Sequence, residues 1–465
     1  MKIYSTMTRK KEEFVPIEPG VVKIYVCGPT VYNYIHVGNA RPFVVFDTLK
    51  RYFQYQGMDV KYVQNFTDID DKLITQSIEE GVTVKALAEK YIREYLTDSK
   101  GLNIDEASIV HPKATETMDE IIAFIAELEE KGYAYAVNGN VYFEVTKVRN
   151  YGKFSRKNIE DLVSGARILV NKEKKNPLDF ILWKNKKPGE PAWTSPWGEG
   201  RPGWHIECSA MIRSILGETI DIHAGGSDLE FPHHENEIAQ SESLTGKPFA
   251  NFWMHNAMIN TEGEKMSKSK DNFFTVRTIA EEYDLEIVRF FLLSSHYRSP
   301  INFSRKIIEQ SKAAMDRLYN GKYQMQHLMK LDLPASDSEE EENKSQAATF
   351  VARFVDAMDD DLNTADAIAV MFETVKYANS NLSETSSLDS VKAVYDALME
   401  MGGVLGLMYR EKETLELDVQ SLIDERQEAR KNRDFARADE IRDELKAQGI
   451  VLEDTPQGVK WKREE

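Results

Sequence analysis

A chain of 465 residues with 42% hydrophobic and 29% charged residues has a globular composition and is too long for one core, so roughly three or more domains are expected. A net charge of −18 argues against a protein that coats nucleic acid over its whole surface, although basic residues confined to one face stay compatible with an RNA partner. Two cysteines exclude a disulfide framework, no apolar run approaches the ~20 residues of a membrane span, and residues 1–6 lack the apolar stretch of a signal peptide, which together predict a cytoplasmic protein without membrane attachment.

The first predicted unit is a strand over 21–26, a turn over 27–42 and a helix over 43–52. Cys27 ends the strand, and His36-Val37-Gly38-Asn39 precedes the helix. A strand, a Gly-bearing turn and a helix start form a common anion site, because unpaired N–H groups and the helix dipole both favour phosphate. A second strand is expected at 59–65, ending in Phe66-Thr67-Asp68-Ile69-Asp70-Asp71-Lys72, with helices from Leu73 and over 84–100. Strands alternating with helices predict a parallel sheet whose ligands bind at the strand C-termini.

After a helix over 117–131, the run 133–145 carries Asn138-Gly139 between two short alternating segments, a hairpin signal. Gly- and Pro-rich text follows to 203, so 116–200 reads as an inserted, loosely built subdomain. The α/β pattern resumes from Trp204 to about 260. From about 305 the apolar spacing is helical, interrupted by Leu333–Asn343, an acidic stretch that reads as a solvated, disordered loop. Helices are expected from 346 to about 408, then over 419–432 and 435–448, with a hairpin over 450–461. No internal repeats are present.

Two clusters carry chemistry. His205, His223, His233 and His234 fall within thirty residues, and Pro232 can open a helix that sets His233 and Glu237 on one face. Cys27, Cys208, His233 and Glu237 form a possible zinc set of two thiolates, an imidazole and a carboxylate. Free cysteines are commonly small buried hydrophobes, and spacing alone fits that reading as well. His223 and His234 read as core or supporting groups. The other cluster, Gly263-Glu264-Lys265-Met266-Ser267-Lys268-Ser269-Lys270, suits a polyphosphate clamp, although an isolated charge cluster is more often a solvated loop.

The combination is more specific than either part. His36-Val37-Gly38-Asn39 resembles the HIGH signature of class I aminoacyl-tRNA synthetases, and Lys265-Met266-Ser267-Lys268-Ser269 matches their KMSKS signature in full. Cys27-Gly28-Pro29-Thr30-Val31-Tyr32, Asn65–Lys72, Gly203–Ser209 and Phe231–Glu237 resemble the cysteinyl-tRNA synthetase family across the whole chain. The resemblance implies an α/β Rossmann-like parallel-sheet catalytic core with an inserted subdomain, a helical bundle and a small mixed anticodon-binding unit. It also implies formation of cysteinyl-adenylate from cysteine and ATP, with transfer to the 3′ end of tRNA(Cys) bearing a GCA anticodon. Cys27, Cys208, His233 and Glu237 would hold one zinc ion that selects the substrate thiol. Catalytic roles fall to His36, Lys265 and Lys268; ATP contacts fall to these three with Gly38, Asn39 and Asp228. Gly28, Thr67 and Trp204 would bind cysteine, although ordinary core packing of Trp204 is an equal reading. Mg2+ would accompany ATP, and a monomer is expected. Asn39 departs from the generic signature, which has a histidine there, and removes one imidazole donor.

The expected domains are 1–115 with 201–260 (catalytic), 116–200 (insert), 261–310 (KMSKS loop and stem-contact region), 311–408 (bundle) and 409–465 (anticodon unit). The last carries Arg426, Arg430, Lys431, Arg433, Arg437, Arg442, Lys446, Lys460, Lys462 and Arg463. Several of these stand beside Glu425, Glu428, Asp439 and Asp443 and read as paired helix faces rather than RNA contacts. Two alternatives remain. A ligase joining cysteine to an amino sugar would lack the C-terminal unit, and a non-enzymatic RNA-binding descendant would not need Cys27, His36, Lys265 and Lys268 together.

Overall fold

The five strands that organise the catalytic core are short, and apart from the two-residue edge strand they are largely buried, the pattern of a parallel sheet covered by helices. They are β1 (Val21–Val26), β2 (Asp59–Gln64), β3 (Ile109–Val110), β4 (Ile220–Gly226) and β5 (Ala250–Asn256). The order is β5-β4-β1-β2-β3, and every pairing is parallel. Successive strands leave β1 in one direction and β4 returns to its other side. The carboxyl ends of β1 and β4 therefore flank the topological switch point, where open α/β sheets bind ligands. This computed structural model describes residues 1–157, 173–261, 264–265, 274–411, 422–423, 425–427, 429–430, 435–447, 450–455 and 458–463.

Helix α1 (Val37–Tyr55) is the central element packed on this sheet, and it begins six residues before the predicted start. Pro42 lies in its second turn. It stands past the four unpaired N–H groups of the helix start, so it leaves the Gly38 carbonyl without its usual i+4 donor.

The insert departs from the loose build expected of it. Among the described residues it is a five-stranded antiparallel sheet, in the order Ala134–Val137, Asn140–Phe143, Phe180–Asn185, Gly198–Pro202, Trp193–Ser195. Val141, Phe143, Leu182 and Trp183 bury against the Met118–Glu130 helix. The predicted turn is present, with Asn138 at φ 51° and Gly139 at φ 83°.

The acidic stretch is also ordered. The helix Glu340–Asp359 starts inside it, with Glu340, Glu341 and Glu342 in the first turn, where the dipole favours carboxylates. Asp337 accepts hydrogen bonds from Ser387 N and the Ser390 hydroxyl, and buried Asn343 bonds Ser390 and Tyr377. Those partners are 34–53 residues away in sequence and give no local pattern. The bundle is completed by Arg305–Leu328, Thr364–Asn381 and Leu388–Leu405.

Residues 1–409 form one compact unit and 410–465 a second. Within the second, the helix Phe435–Ala447 and the hairpin Ile450–Thr455/Gly458–Arg463 gather Ile423, Ile441, Leu445 and Ile450 into a small core. Arg437 pairs with Glu425 and Glu440, and Arg442 with Asp439, as paired helix faces would. Arg426 is buried instead of solvated. Lys431 and Arg433 lie outside the described residues.

Candidate active site

The site is assembled at the carboxyl ends of β1, β2 and β4. Cys27 follows β1 and is held beside β4 by its N–H, which donates to Ala224 O at 3.1 Å. Cys208 lies in helix α2 (Trp204–Ile215). His233 and Glu237 come from the turn Glu230–His234 and the helix α3 (Glu235–Thr245) that follows it. Phe231 is extended, and Pro232, His233 and His234 have helical backbone that runs on into α3, so Pro232 opens this helical stretch as predicted. The i,i+4 pairing follows: His233 Nε2 is 3.0 Å from Glu237 Oε1.

The four side chains meet although the cysteines are 181 residues apart. Cys27 Sγ is 4.0 Å from Cys208 Sγ and 3.8 Å from Glu237 Oε1, and Cys208 Sγ is 3.6 Å from His233 Nε2. Tetrahedral zinc with bonds of 2.0–2.3 Å separates its ligand atoms by roughly 3.3–3.8 Å. Two thiols, an imidazole and a carboxylate, all buried and spaced this way, fit that ion.

A second set overlaps the first: Cys27, His223, His234 and Glu237 also place their ligand atoms within 4.8 Å of one another. The surrounding hydrogen bonds favour the first set. His233 Nδ1 lies 2.9 Å from His205 Nδ1, so a ring bound through Nε2 keeps a partner for its other nitrogen. His223 Nε2 is 2.8 Å from Glu237 Oε2, but its Nδ1 is buried without a partner. Binding metal through His223 Nε2 would leave an N–H there with no acceptor. His223 instead orients Glu237 and leaves Oε1 toward the cysteines. His234 Nε2 is 3.3 Å from Cys27 Sγ, and its Nδ1 leads to His255 and then Thr6, each step 2.8 Å.

The electrostatics match a cation site. The hydrogen bond from Cys27 lowers Cys208 to about 6, with His233 adding to the effect against burial. Burial opposes charge on His233, yet Glu237 and Cys208 raise it to about 10. Burial likewise opposes the Glu237 carboxylate, and His223 and His233 hold it at about 2. Burial and the surrounding imidazoles push His234 well below its ordinary value.

The HIGH-like turn caps α1 with a reciprocal pair. Asn39 N donates to His36 Nδ1 at 3.1 Å, and His36 N donates to Asn39 Oδ1. Because Nδ1 accepts, the proton of the neutral His36 ring belongs on Nε2. Asn39 therefore sets the ring's tautomer. Val37 N donates to Phe274 O and Val276 N to Ile35 O, so the far end of the KMSKS segment is fastened to this turn. Lys265, at its near end, lies in the strand Glu264–Lys265 paired with Ile259–Thr261. Lys268 lies outside the described residues. Asp228 occupies the turn Ser227–Leu229 directly after β4, and Gly38 is the second residue of α1.

Gly28 follows Cys27 in the chain, Trp204 packs near the His233 ring, and a hydrogen-bond chain links Gly28 to Thr67. Gly28 N donates to Asn65 Oδ1, Asn65 Nδ2 to Thr67 Oγ1, and Thr67 Oγ1 to Glu207 Oε2 at 3.1 Å. A Cβ on Gly28 would stand 1.7 Å from Asn65 O, a backbone atom. Gly28→Ala is accordingly expected to cost about 1–3 kcal/mol of stability and to raise KM for the amino acid, checked by denaturation and steady-state kinetics. Trp204 is 40% exposed, with its ring centroid 4.2 Å from that of His233, which is not core packing. Asn65, His205 and Glu207 lie within the motifs that carry the family resemblance, His205 in the histidine cluster as well, but the sequence assigns a role to none of them; only Glu207's place beside Cys208 could have pointed to one.

Residues 13–313 match the family model of the tRNA synthetases class I (C) catalytic domain, residues 353–409 the DALR domain, and residues 413–461 the cysteinyl-tRNA ligase anticodon binding domain. A cysteine–tRNA ligase of Clostridioides difficile (strain 630) is 59% identical over 466 residues, covering all of both chains. Among solved structures, Mycobacterium tuberculosis methionyl-tRNA synthetase in complex with methionyl-adenylate aligns with TM-score 0.58 at 13% identity, over 83% of this chain and 89% of that one. The Agrobacterium radiobacter K84 agnB2 leucyl enzyme, in its ternary complex, aligns with TM-score 0.60 at 11% identity over 85% of each. These two likenesses concern the fold. No helix among the described residues is long and apolar enough to cross a membrane.

Proposed function

The chain belongs to the cysteine–tRNA ligase family of class I tRNA synthetases, and from that premise we propose how its own residues carry out the reaction. The enzyme activates L-cysteine with ATP and transfers the cysteinyl group to tRNA(Cys). The full-length likeness and the anticodon-binding domain disfavour an amino-sugar ligase.

The observation that carries the site reading is the buried cluster of Cys27, Cys208, His233 and Glu237 at the strand end from which the HIGH-like turn leaves. We assign these four to zinc. When bound, zinc offers a Lewis-acidic position to the substrate thiolate, a bond that serine's far less acidic hydroxyl cannot match. Gly28, Thr67 and Trp204 shape the space around the thiol.

In the first step a carboxylate oxygen of cysteine forms a bond to the α-phosphorus of ATP while the bond to pyrophosphate breaks. His36, donating from Nε2, and the N–H groups at the start of α1 near Gly38 and Asn39 hold the phosphates. Lys265 and Lys268 neutralise the leaving pyrophosphate, and Asp228 binds the adenosine ribose. In the second step the terminal ribose hydroxyl of tRNA attacks the activated carbonyl and AMP leaves. The protein supplies orientation and charge rather than covalent chemistry. We further propose Mg2+ with ATP, a monomer and a cytoplasmic location.

ATP–pyrophosphate exchange tests the reading. Cysteine should drive exchange, serine and alanine should fail by roughly 10⁴-fold without an editing step, and added tRNA(Cys) should become charged. Exchange driven by another amino acid, or activation without transfer, would overturn it.

A further inference from the structure

We propose that Glu207 binds the α-ammonium group of the cysteine substrate. The inference rests on the reading of Thr67 and Trp204 as the thiol pocket and adds a second determinant to it. A thiol-selective site alone would admit any small thiol acid. Something must recognise that the amine is present and unblocked.

Four carboxylates lie around the turn that carries Thr67, and three are spoken for: Asp71 pairs with Lys184 and Arg201. Asp68 accepts from both the N–H and the hydroxyl of Thr115. Asp70 caps the helix Asp71–Glu80 by accepting from Lys72 N. Glu207 differs. Its side chain is buried, and among the described residues it accepts only the Thr67 hydroxyl, at 3.1 Å, and pairs with no cationic side chain. A carboxylate offers about four acceptor sites, and a buried one is costly without a cation or further donors. A primary ammonium, with three donors and a positive charge, meets that need.

The placement suits cysteine. Glu207 and Cys208 are consecutive in α2, and Trp204 lies one turn earlier on the same helix. The chain Gly28–Asn65–Thr67–Glu207 links the turn after Cys27 to the carboxylate. A substrate whose sulfur sits at Cys27 and Cys208, with its Cα against Gly28 and Thr67, has its ammonium beside Glu207. Thr67, touching the carboxylate, is then a shared wall between the thiol and the amine.

The test compares cysteine with 3-mercaptopropionate, which keeps thiol and carboxylate and lacks the amine. In ATP–pyrophosphate exchange by the full-length enzyme, Glu207→Gln should raise KM for cysteine roughly 30- to 1,000-fold, the range for removing one partner of a buried charge pair. KM for ATP, zinc content and the inhibition constant of 3-mercaptopropionate should stay unchanged. Glu207→Asp, which keeps the charge at a shorter reach, should recover part of the loss. A parallel rise in the inhibition constant would make Glu207 a mere shaper of the pocket and overturn the proposal, as would an unchanged KM. If Glu207→Gln fails to fold, the same comparison is read on Glu207→Asp. Failure of 3-mercaptopropionate to inhibit the wild-type enzyme would instead count against the thiol pocket on which the proposal stands.

Discussion

Replacing Cys208 with serine is expected to release zinc and to lower kcat/KM for cysteine by about 10³-fold, with the cysteine-over-serine preference falling from roughly 10⁴ toward unity. The reason is chemical. The Cys27 hydrogen bond, with His233, draws Cys208 below the ordinary thiol value and favours its thiolate, whereas a serine hydroxyl is far less acidic. The substitution barely changes volume and leaves the fold of α2 intact. Metal content by atomic emission and exchange kinetics with both amino acids read the outcome. Retention of stoichiometric zinc together with full discrimination would sink the ligand assignment. The same assay separates the two overlapping ligand sets. His233→Asn should lose zinc as Cys208→Ser does. His234→Asn should keep the ion, because His234 sits outside the favoured set and only 3.3 Å from Cys27. The reverse result would transfer the site to His223 and His234.

How far the sequence foretold this site depends on whether contacts were local. The strands β1 and β2 were legible from their short runs of Val, Ile and Tyr, whereas β4 and β5 lay in a stretch read as α/β without strand limits. The Asn138-Gly139 hairpin was legible because two positive φ angles demand those residues. The His233–Glu237 pair was legible as an i,i+4 spacing on the helical stretch that Pro232 opens. The approach of Cys27 to Cys208 was not. It is created by the parallel pairing of β1 with β4 and by the packing of α2 and α3, and spacing records none of that. Residue types alone suggested those four as a possible zinc set, and the resemblance to a known family decided between that and two buried structural cysteines. Non-local contact also explains the misread acidic stretch, whose carboxylates find hydroxyl and amide partners across the bundle, and the silence of Asn65 and Glu207.

A different non-local contact underlies the largest expected stability effect. Asp47, in α1, is fully buried and central to a cationic cluster. Arg289 Nη2 and Arg51 Nε each lie 2.8 Å from its Oδ2, and Lys50 Nζ lies 3.2 Å from Oδ1. Arg289 is itself buried, with its remaining donors on Leu405 O, Leu102 O, Asn103 O and the Thr48 hydroxyl. One carboxylate thus joins the helix that starts at His36, the helix Leu285–Leu293 beyond the KMSKS segment, and the end of the bundle helix Leu388–Leu405. Asp47→Asn keeps the shape but strands the Arg289 charge inside the protein, and should cost about 3–5 kcal/mol in denaturant unfolding. A double replacement, Asp47→Asn with Arg289→Met, should cost less than the sum of the two single changes, because it removes both charges of the pair. Burial alone would raise Asp47, but Arg289, then Arg51 and Lys50, hold it well below the usual carboxylate range. The sign of the pH dependence follows. A depressed folded value contributes stability that is fully present above the unfolded carboxylate value of roughly 3.9 and is lost as pH falls below it. The wild-type enzyme should therefore lose stability through that acid range more steeply than Asp47→Asn, and the two stability curves should converge toward low pH. Parallel curves would mean that Asp47 is not the group whose protonation loosens the core.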